Sequence, residues 1–351
     1  MSDPLMIYGA TGYTGRLMTR GALQLGLRPV LGGRNERKLA AMAERLSLNY
    51  RTVALADADR LHAALRDIDL VLHAAGPFSE TARPMVDACL QSGTHYLDIC
   101  GEAAVLEALA RRHAEARRRP IMIMPAVGFD VVPSDCLAAH VVGRLRGAER
   151  LALGVRGLTL ATRGSVRTFL EQAGRGILVR RDGVIASVTP GALQREFDYG
   201  DGPRTSVNVT WGDVVCAYYT TGIPNIEVYF EATPMVRSAL MASRYLGRLA
   251  TTAPWQAWLK MYADFLPEGP TEAQRAPIEM TIVADAEDGE GRRVRARLRT
   301  PQAYTFTGVV GPAIARRVLQ GDFEVGFQTP ARVYGADFVL SLADVSREDV
   351  E

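Results

Sequence analysis

Short apolar runs alternate with amphipathic stretches through the first third of the chain. The strand-like runs are Leu5–Gly9, Pro29–Gly33, Tyr50–Leu55, Leu70–His73, Tyr96–Ile99 and Ile121–Met124. Helix-like segments fall between them, near 13–26, 35–47, 57–67, 79–92 and 102–118. Strands and helices alternating at this spacing predict right-handed βαβ units and a parallel sheet. Runs such as VLHAA and IMIM are apolar on both faces, as strands covered by helices on both sides must be. The expected fold class is therefore α/β, a Rossmann-type doubly wound sheet.

After Pro133 the rhythm changes. A helix is expected at 134–146, a strand at Leu151–Val155 and a long helix over Ser165–Arg180. Val214–Tyr219 and Ile226–Phe230 alternate enough for strands, and two helices follow at 235–249 and 255–265. Ile278–Ala286 and Val294–Thr300 flank the polar Glu287–Gly291 and read as a β-hairpin. Helices lying between antiparallel strands predict an α+β second domain. A last helix at about 302–320 is expected to return to the first domain, with Asp344–Glu351 a loose acidic tail. The division expected is 1–132, joined by about 302–351, and 133–301 as a substrate or dimerisation domain.

Composition narrows the function. The chain has 351 residues, which suits two domains. Its 41 basic and 39 acidic residues leave a net charge of +2, too balanced for a nucleic-acid binder. The longest apolar run, Ile121–Phe129, is too short to span a membrane and contains Pro125. Asp3 stands where a secretion signal would be basic. Cys89, Cys100, Cys136 and Cys216 lie far apart, so neither a zinc site nor a disulfide framework is expected, and a cytoplasmic location fits. The five histidines all lie within the first 140 residues, so histidine chemistry would come from the first domain.

The strongest local signal is Gly9-Ala10-Thr11-Gly12-Tyr13-Thr14-Gly15, directly after a strand and opening an amphipathic helix. Such a turn lets backbone N–H groups approach a pyrophosphate, which then sits on the positive end of the helix dipole. Gly9 permits the turn, Gly12 the close approach and Gly15 the packing of helix on strand. The second strand ends in Gly32-Gly33-Arg34, with Arg37 and Lys38 one turn on, where NAD sites place a carboxylate. Arg34 and Lys38 suit a 2′-phosphate, so the expected cofactor is NADP.

With these residues in view, the chain resembles the saccharopine dehydrogenase-like oxidoreductases, particularly the branch of trans-acting enoyl reductases. The resemblance runs through GATGYTG and GGR, then AAGPF (74–78), ACLQSGTHYLDICGE (88–102) and GFDVVPSD (128–135), with looser echoes at TTGIPNIEVY (220–229) and GFQTPARVYG (326–335). It implies an NADP-binding Rossmann domain, a mixed second domain, hydride transfer to a small-molecule substrate, and a possible homodimer.

The matched positions also have readings of their own. Ala75, Gly76 and Pro77 follow the fourth strand, at the edge where open α/β sheets bind ligands, and are expected to contact the cofactor. Asp98, Gly101 and Glu102 follow the fifth strand on the same edge; Glu102 reads equally as the first acid of the next helix. Asp130 and Asp135 flank Pro133, a natural helix start, so at least one of them reads as a cap or first-turn acid. The candidates for proton donor are His73, Tyr218 and Tyr304, with His73 reading more readily as a buried, hydrogen-bonded core histidine. Arg111, Arg112 and Arg117–Arg119 read as a solvated helix face. The sequence leaves three functions open: NADPH-dependent reduction of an activated C=C bond, saccharopine-type oxidoreduction of an amino-acid-derived imine, and NADP binding without catalysis. The apolar Ala253–Leu266 would suit the acyl trough of the first or a packed helix alike.

Overall fold

In the computed structural model, residues 4–164, 176–234, 236–238, 252 and 268–350 are described. The chain divides into two compact units, Met1–Val132 with Tyr304–Val333, and Pro133–Ala303 with Tyr334–Glu351.

The first unit is built on seven strands: β1 (Leu5–Tyr8), β2 (Val30–Gly33), β3 (Tyr50–Thr52), β4 (Leu70–His73), β5 (His95–Asp98), β6 (Met122–Met124) and β15 (Gly326–Phe327). Their order is β15-β6-β5-β4-β1-β2-β3 and every pairing is parallel. All carboxyl ends therefore share one edge, and the strand order reverses between β1 and β4, where ligands bind in such sheets. β1, β2, β4 and β6 are buried along their whole length, as the doubly apolar runs require. The helices are α1 (Tyr13–Gln24), α2 (Glu36–Leu46), α3 (Ala58–Leu65), α4 (Phe78–Ser92), α5 (Ala103–Ala110) and α6 (His113–Arg118). The single helix expected over 102–118 is thus two, broken at Arg111–Arg112.

A helix from far along the chain, α10 (Ala303–Leu319), completes this unit from Tyr304 onward. It crosses α1 through glycine. A Cβ at Gly21 would stand 2.0 Å from the Gly308 carbonyl oxygen, and one at Gly308 would stand 3.1 Å from Leu17 Cβ. Thr307 Oγ1 accepts the Phe129 N–H at 3.0 Å.

The second unit holds a nine-stranded mixed sheet: β7 (Ala148–Arg156), β8 (Ile177–Arg181), β9 (Val184–Val188), β10 (Gln194–Asp198), β11 (Pro203–Val209), β12 (Asn225–Glu231), β13 (Glu279–Asp288), β14 (Arg293–Pro301) and β16 (Ser346–Val350). Only β7 and β12 run parallel. With the sheet go α7 (Val132–Arg144), α8 (Asp213–Thr221) and the short α9 (Glu272–Arg275). The hairpin of β13 and β14 forms as the turn-forming Glu287–Gly291 predicts.

Four expectations need correction here. Val214–Tyr219 is helical, because Gly212 and the left-handed Gly222 bound a single two-turn segment whose alternation was accidental. The expected helix to Arg180 gives way to strand β8 after Gly176, whose φ of 79° breaks any helix. Its part at 165–175, the helices at 235–249 and 255–265 and the run Ala253–Leu266 lie wholly or almost wholly outside the described residues. β9, β10 and β11 had no strong periodicity and were not expected as strands.

The fourth correction concerns the C-terminal segment. Asp344–Glu351 is not a loose tail, nor does it go to the first unit, since Ser346–Val350 pairs antiparallel with the arginine-rich β14. Arg297 Nη1 meets Glu348 Oε1 at 2.6 Å, while Asp349 takes His140 Nε2 at 2.7 Å and Arg144 Nη1 at 2.6 Å. Arg297 is only 8% exposed, so its partner matters. Glu348→Ala is expected to cost about 1–2 kcal/mol, read as a thermal midpoint lower by a few degrees. An unchanged midpoint would mean that strand pairing alone holds the segment.

Candidate cofactor site

Three loops meet at the carboxyl edge of the parallel sheet. The first joins β1 to α1. Gly9 has φ of 84°, and its Cβ position lies 2.9 Å from Ala74 C and Ala75 Cβ, so the glycine turn and the Ala75-Gly76-Pro77 turn touch. Gly15 carries the helix across the loop: a Cβ there would stand 2.2 Å from the Gly9 carbonyl oxygen. Gly12 is exposed and its Cβ would meet only that oxygen, at 3.2 Å. Arg16 Nη1 holds the loop from behind, donating to Thr11 O at 2.6 Å.

The helix ends differ in a telling way. Asn35 caps α2 by accepting the Lys38 N–H at 3.0 Å, and Asp57 caps α3 by accepting the Arg60 N–H at 3.1 Å. At α1 the cap position is Gly12, with no side-chain cap and no acid in the first turn. The positive end of α1, at Tyr13, Thr14 and Gly15, is thus left for an anion, and a glycine cradle lies against it. These residues fit the pyrophosphate of a dinucleotide.

The second loop follows β2. Arg34, Arg37 and Lys38 are all exposed, and none of them is in an ion pair with a described residue. Elsewhere arginines are held by carboxylates, as Arg51 is by Asp67 at 2.6 Å. Arg34 lies near enough to β1 for its charge to oppose the burial that raises the Tyr8 phenol. A cation cluster without a protein anion, one strand from the glycine cradle, fits a 2′-phosphate.

The third loop follows β4. Thr81 Oγ1 donates to Ala75 O at 2.7 Å and approaches Pro77 O at 2.9 Å, and the Gly76–Pro77 peptide is cis. Gly76 is exposed, with nothing nearer than 3.8 Å to its Cβ position. Beside this loop the chain leaving β5 supplies two buried carboxylates. Asp98 Oδ1 accepts the N–H groups of Cys100 (2.9 Å) and Ala126 (2.8 Å), and Tyr96 OH donates to Oδ2 at 2.6 Å. Burial pushes the Asp98 carboxyl up to about 6 in spite of these bonds. Glu102, half expected as an acid of its own helix, instead reaches α4, where Phe78 N donates to Oε1 at 2.9 Å and Ser79 N to Oε2 at 3.1 Å.

Asp130 completes the edge. Its Oδ2 lies 2.7 Å from the Cβ position of Gly101, so a side chain there would displace the Asp130 carboxyl, and burial pushes that carboxyl up to about 7. Sequence reading placed Asp130 as a possible helix cap; the signal it missed was the pairing of a glycine after β5 with an aspartate after β6, which only the sheet order reveals.

The proton-donor candidates separate. His73 is fully buried among Tyr8, Phe78 and Tyr96, neither ring nitrogen has a hydrogen-bond partner among the described residues, and burial lowers it to about 3. It is a core histidine, though not a hydrogen-bonded one, and it holds no imidazolium proton near neutral pH. Tyr304 packs edge-on against Tyr13, 5.5 Å between centroids, beside the phosphate cradle. Tyr218 belongs to the second unit, with Arg180 4.0 Å above its ring. A cavity of about 770 Å³ lined by Val30, Ser47, Tyr50 and Arg51 lies at the amino ends of β2 and β3, opposite this edge. Among the described residues no group of His, Cys, Asp and Glu could hold a metal, and no helix is long and apolar enough to cross a membrane.

Residues 5–124 match the saccharopine dehydrogenase NADP binding domain. A probable mitochondrial saccharopine dehydrogenase-like oxidoreductase of Arabidopsis thaliana is 32% identical over 148 residues, 37% of this chain and 33% of that protein. A putative trans-acting enoyl reductase of Mycobacterium tuberculosis is 32% identical over 157 residues, 42% of this chain and 38% of that protein. The matches thus span well under half the length of these curated relatives. Yeast saccharopine dehydrogenase (L-Glu forming) superposes over 99% of both chains with a TM-score of 0.64 at 12% identity, a likeness of fold. Residues 5–124 are thus similar to the saccharopine dehydrogenase NADP binding domain, and part of the chain is similar to saccharopine dehydrogenase-like oxidoreductases and trans-acting enoyl reductases.

Proposed function

We propose that the chain is an NADPH-dependent reductase that adds hydrogen across an activated C=C bond of an enoyl or enone substrate. The observation that carries this reading is the place of Asp130, at the carboxyl edge of the sheet with its Oδ2 2.7 Å from the Cβ position of Gly101 and its carboxyl pushed up by burial to about 7, in a chain whose residues 5–124 match an NADP binding domain. When bound, the nicotinamide supplies a hydride to the β-carbon of the substrate. The residues of the chain do the rest. Gly9, Thr11, Gly12, Tyr13, Thr14 and Gly15 seat the pyrophosphate, Arg34 and Lys38 bind the 2′-phosphate, and Ala75, Gly76 and Pro77 flank the nicotinamide. Asp130, protonated below about pH 7, delivers the proton that the α-carbon requires. The name of the mycobacterial relative supports the C=C reading over an imine.

Two measurements test it. Fluorescence titration is expected to show NADPH preferred over NADH, with the preference reduced roughly tenfold or more in Arg34→Glu, since a charge-assisted phosphate contact becomes a repulsion. Equal affinity for both nucleotides would retract Arg34. Oxidation of NADPH should then follow addition of enoyl thioesters or enones. Turnover only with imines of amino acids would give the saccharopine-type reaction instead, and binding without turnover on any of them would leave an NADP-binding protein.

A further inference from the structure

Each helix that follows a strand of the first sheet turns its positive end to the carboxyl edge, and α1 after β1 and α4 after β4 flank the point where the strand order reverses. Neither of these two ends has a side-chain cap from its own helix. At α4 the cap position is Pro77, which has no side-chain acceptor, yet the end is closed from outside by Glu102. That carboxylate is 7% exposed and spends one oxygen on each of the first two helical N–H groups, Phe78 and Ser79. The same segment is fixed at its other side by Thr81 on the Ala75 and Pro77 carbonyls, and it abuts Gly9 of the phosphate cradle.

We infer that Glu102 is a positioning residue for the cofactor: it fills the α4 end as a built-in anion and clamps the Ala75–Phe78 turn in register with the glycine cradle. Two consequences follow from charge and geometry. With Glu102 occupying the α4 end, the pyrophosphate is directed to the glycine-capped start of α1. The turn that flanks the nicotinamide is held by two charge-assisted bonds to a buried carboxylate, not by packing alone. The corner that supplies Glu102 is itself pinned, because Asp98 accepts the Cys100 N–H two residues earlier. The GTHYLD-x-x-GE segment thus acts as a brace for the neighbouring loop. This inference rests on the reading of Ala75, Gly76 and Pro77 as cofactor contacts.

The test compares NADPH with 2′,5′-ADP, which carries the adenosine 2′-phosphate but no nicotinamide. Glu102→Gln keeps one carbonyl acceptor and loses the charge. It is expected to weaken NADPH about tenfold and to leave 2′,5′-ADP within about twofold, with a changed emission of bound NADPH. Parallel weakening of both ligands would make Glu102 a general structural residue and overturn the inference, as would unchanged affinity for both. Gly76→Val separates this from the underlying reading. A Cβ there meets only Phe78, at an ordinary 3.8 Å, so the substitution should leave the fold in place and weaken NADPH by blocking the approach. If Gly76→Val binds NADPH as the wild type does, the turn is not a cofactor surface and the inference falls with it. If Gly76→Val weakens NADPH and Glu102→Gln does not, the inference alone falls.

Discussion

Replacing Gly15 by alanine is expected to abolish measurable NADPH binding, a loss of at least about a hundredfold, and to lower the thermal midpoint as well. Alanine is the better helix former by roughly 1 kcal/mol, so propensity alone predicts the opposite sign for stability. Sterics decide the outcome. The new Cβ would stand 2.2 Å from the Gly9 carbonyl oxygen, a distance no relaxation of a side chain can relieve because both partners are backbone. Either α1 lifts from the sheet or the cradle opens, and the pyrophosphate loses its seat in both cases. Gly12→Ala is the informative companion. Its Cβ would lie 3.2 Å from the same oxygen at an exposed position, so the melt should move little while NADPH affinity still falls. Calorimetric melts with and without NADPH read both effects. A Gly15→Ala protein that melts and binds as the wild type does would refute the helix-on-strand role of this glycine.

The second large effect is expected at Asp130, where activity and stability should move in opposite directions. Asp130→Asn removes the proton donor and is expected to lower kcat about a hundredfold or more, with the substrate still bound. Wild-type kcat should fall as pH rises through about 7, and the variant should lack that limb. Stability follows from linkage. The folded carboxyl titrates at about 7, above its ordinary 3.8, so folding favours the protonated form. That contribution is fully present below 3.8 and is lost as pH rises through about 7. At pH 8 the wild type therefore carries a buried charge that asparagine does not. The variant should be more stable there by about 2 kcal/mol, under the roughly 4 that full burial would give, because Asp130 keeps some exposed surface. At pH 3 the two should melt together. A variant with wild-type turnover and the same pH profile would place the proton elsewhere, with Tyr304 beside the cradle the next candidate.

The parts of the molecule that were legible in the sequence are those where physics acts locally. A parallel strand covered on both sides must be apolar throughout, so LMIY and LVLH announced themselves, and a phosphate turn needs glycine within one short segment. The place of Arg34 at the end of β2 was readable because it sits a fixed step after its strand. What stayed hidden depends on residues far apart in the chain. Glu102 looked like an acid of its own helix, and nothing near it indicated that its oxygens serve Phe78 and Ser79 on the adjoining helix. The near-neutral carboxyl of Asp130 arises from burial against Gly101, which no window of sequence displays. The acidic C-terminal segment was misread for the same reason: its charges suggested solvent, while its partners were the arginines of β14. VVCAYYTT misled differently, because a short apolar segment satisfies helix and strand periods together and only its flanking glycines decide.

The crossing of α10 over α1 has a consequence for how the chain is made. Each unit is assembled from two separated stretches, so the chain passes from the first unit to the second, back, and out again. As the polypeptide leaves the ribosome, the parallel sheet emerges early but stays uncovered where Gly21 awaits Gly308. The nine-stranded sheet likewise waits for its edge strand β16. The first unit is complete only once Tyr304–Val333 has been synthesised, and the second only after Ser346–Val350. A protease cut at any of the three crossings between the units would not free a self-sufficient piece. An excised 1–132 fragment would expose the apolar flank of α1 and be prone to aggregate.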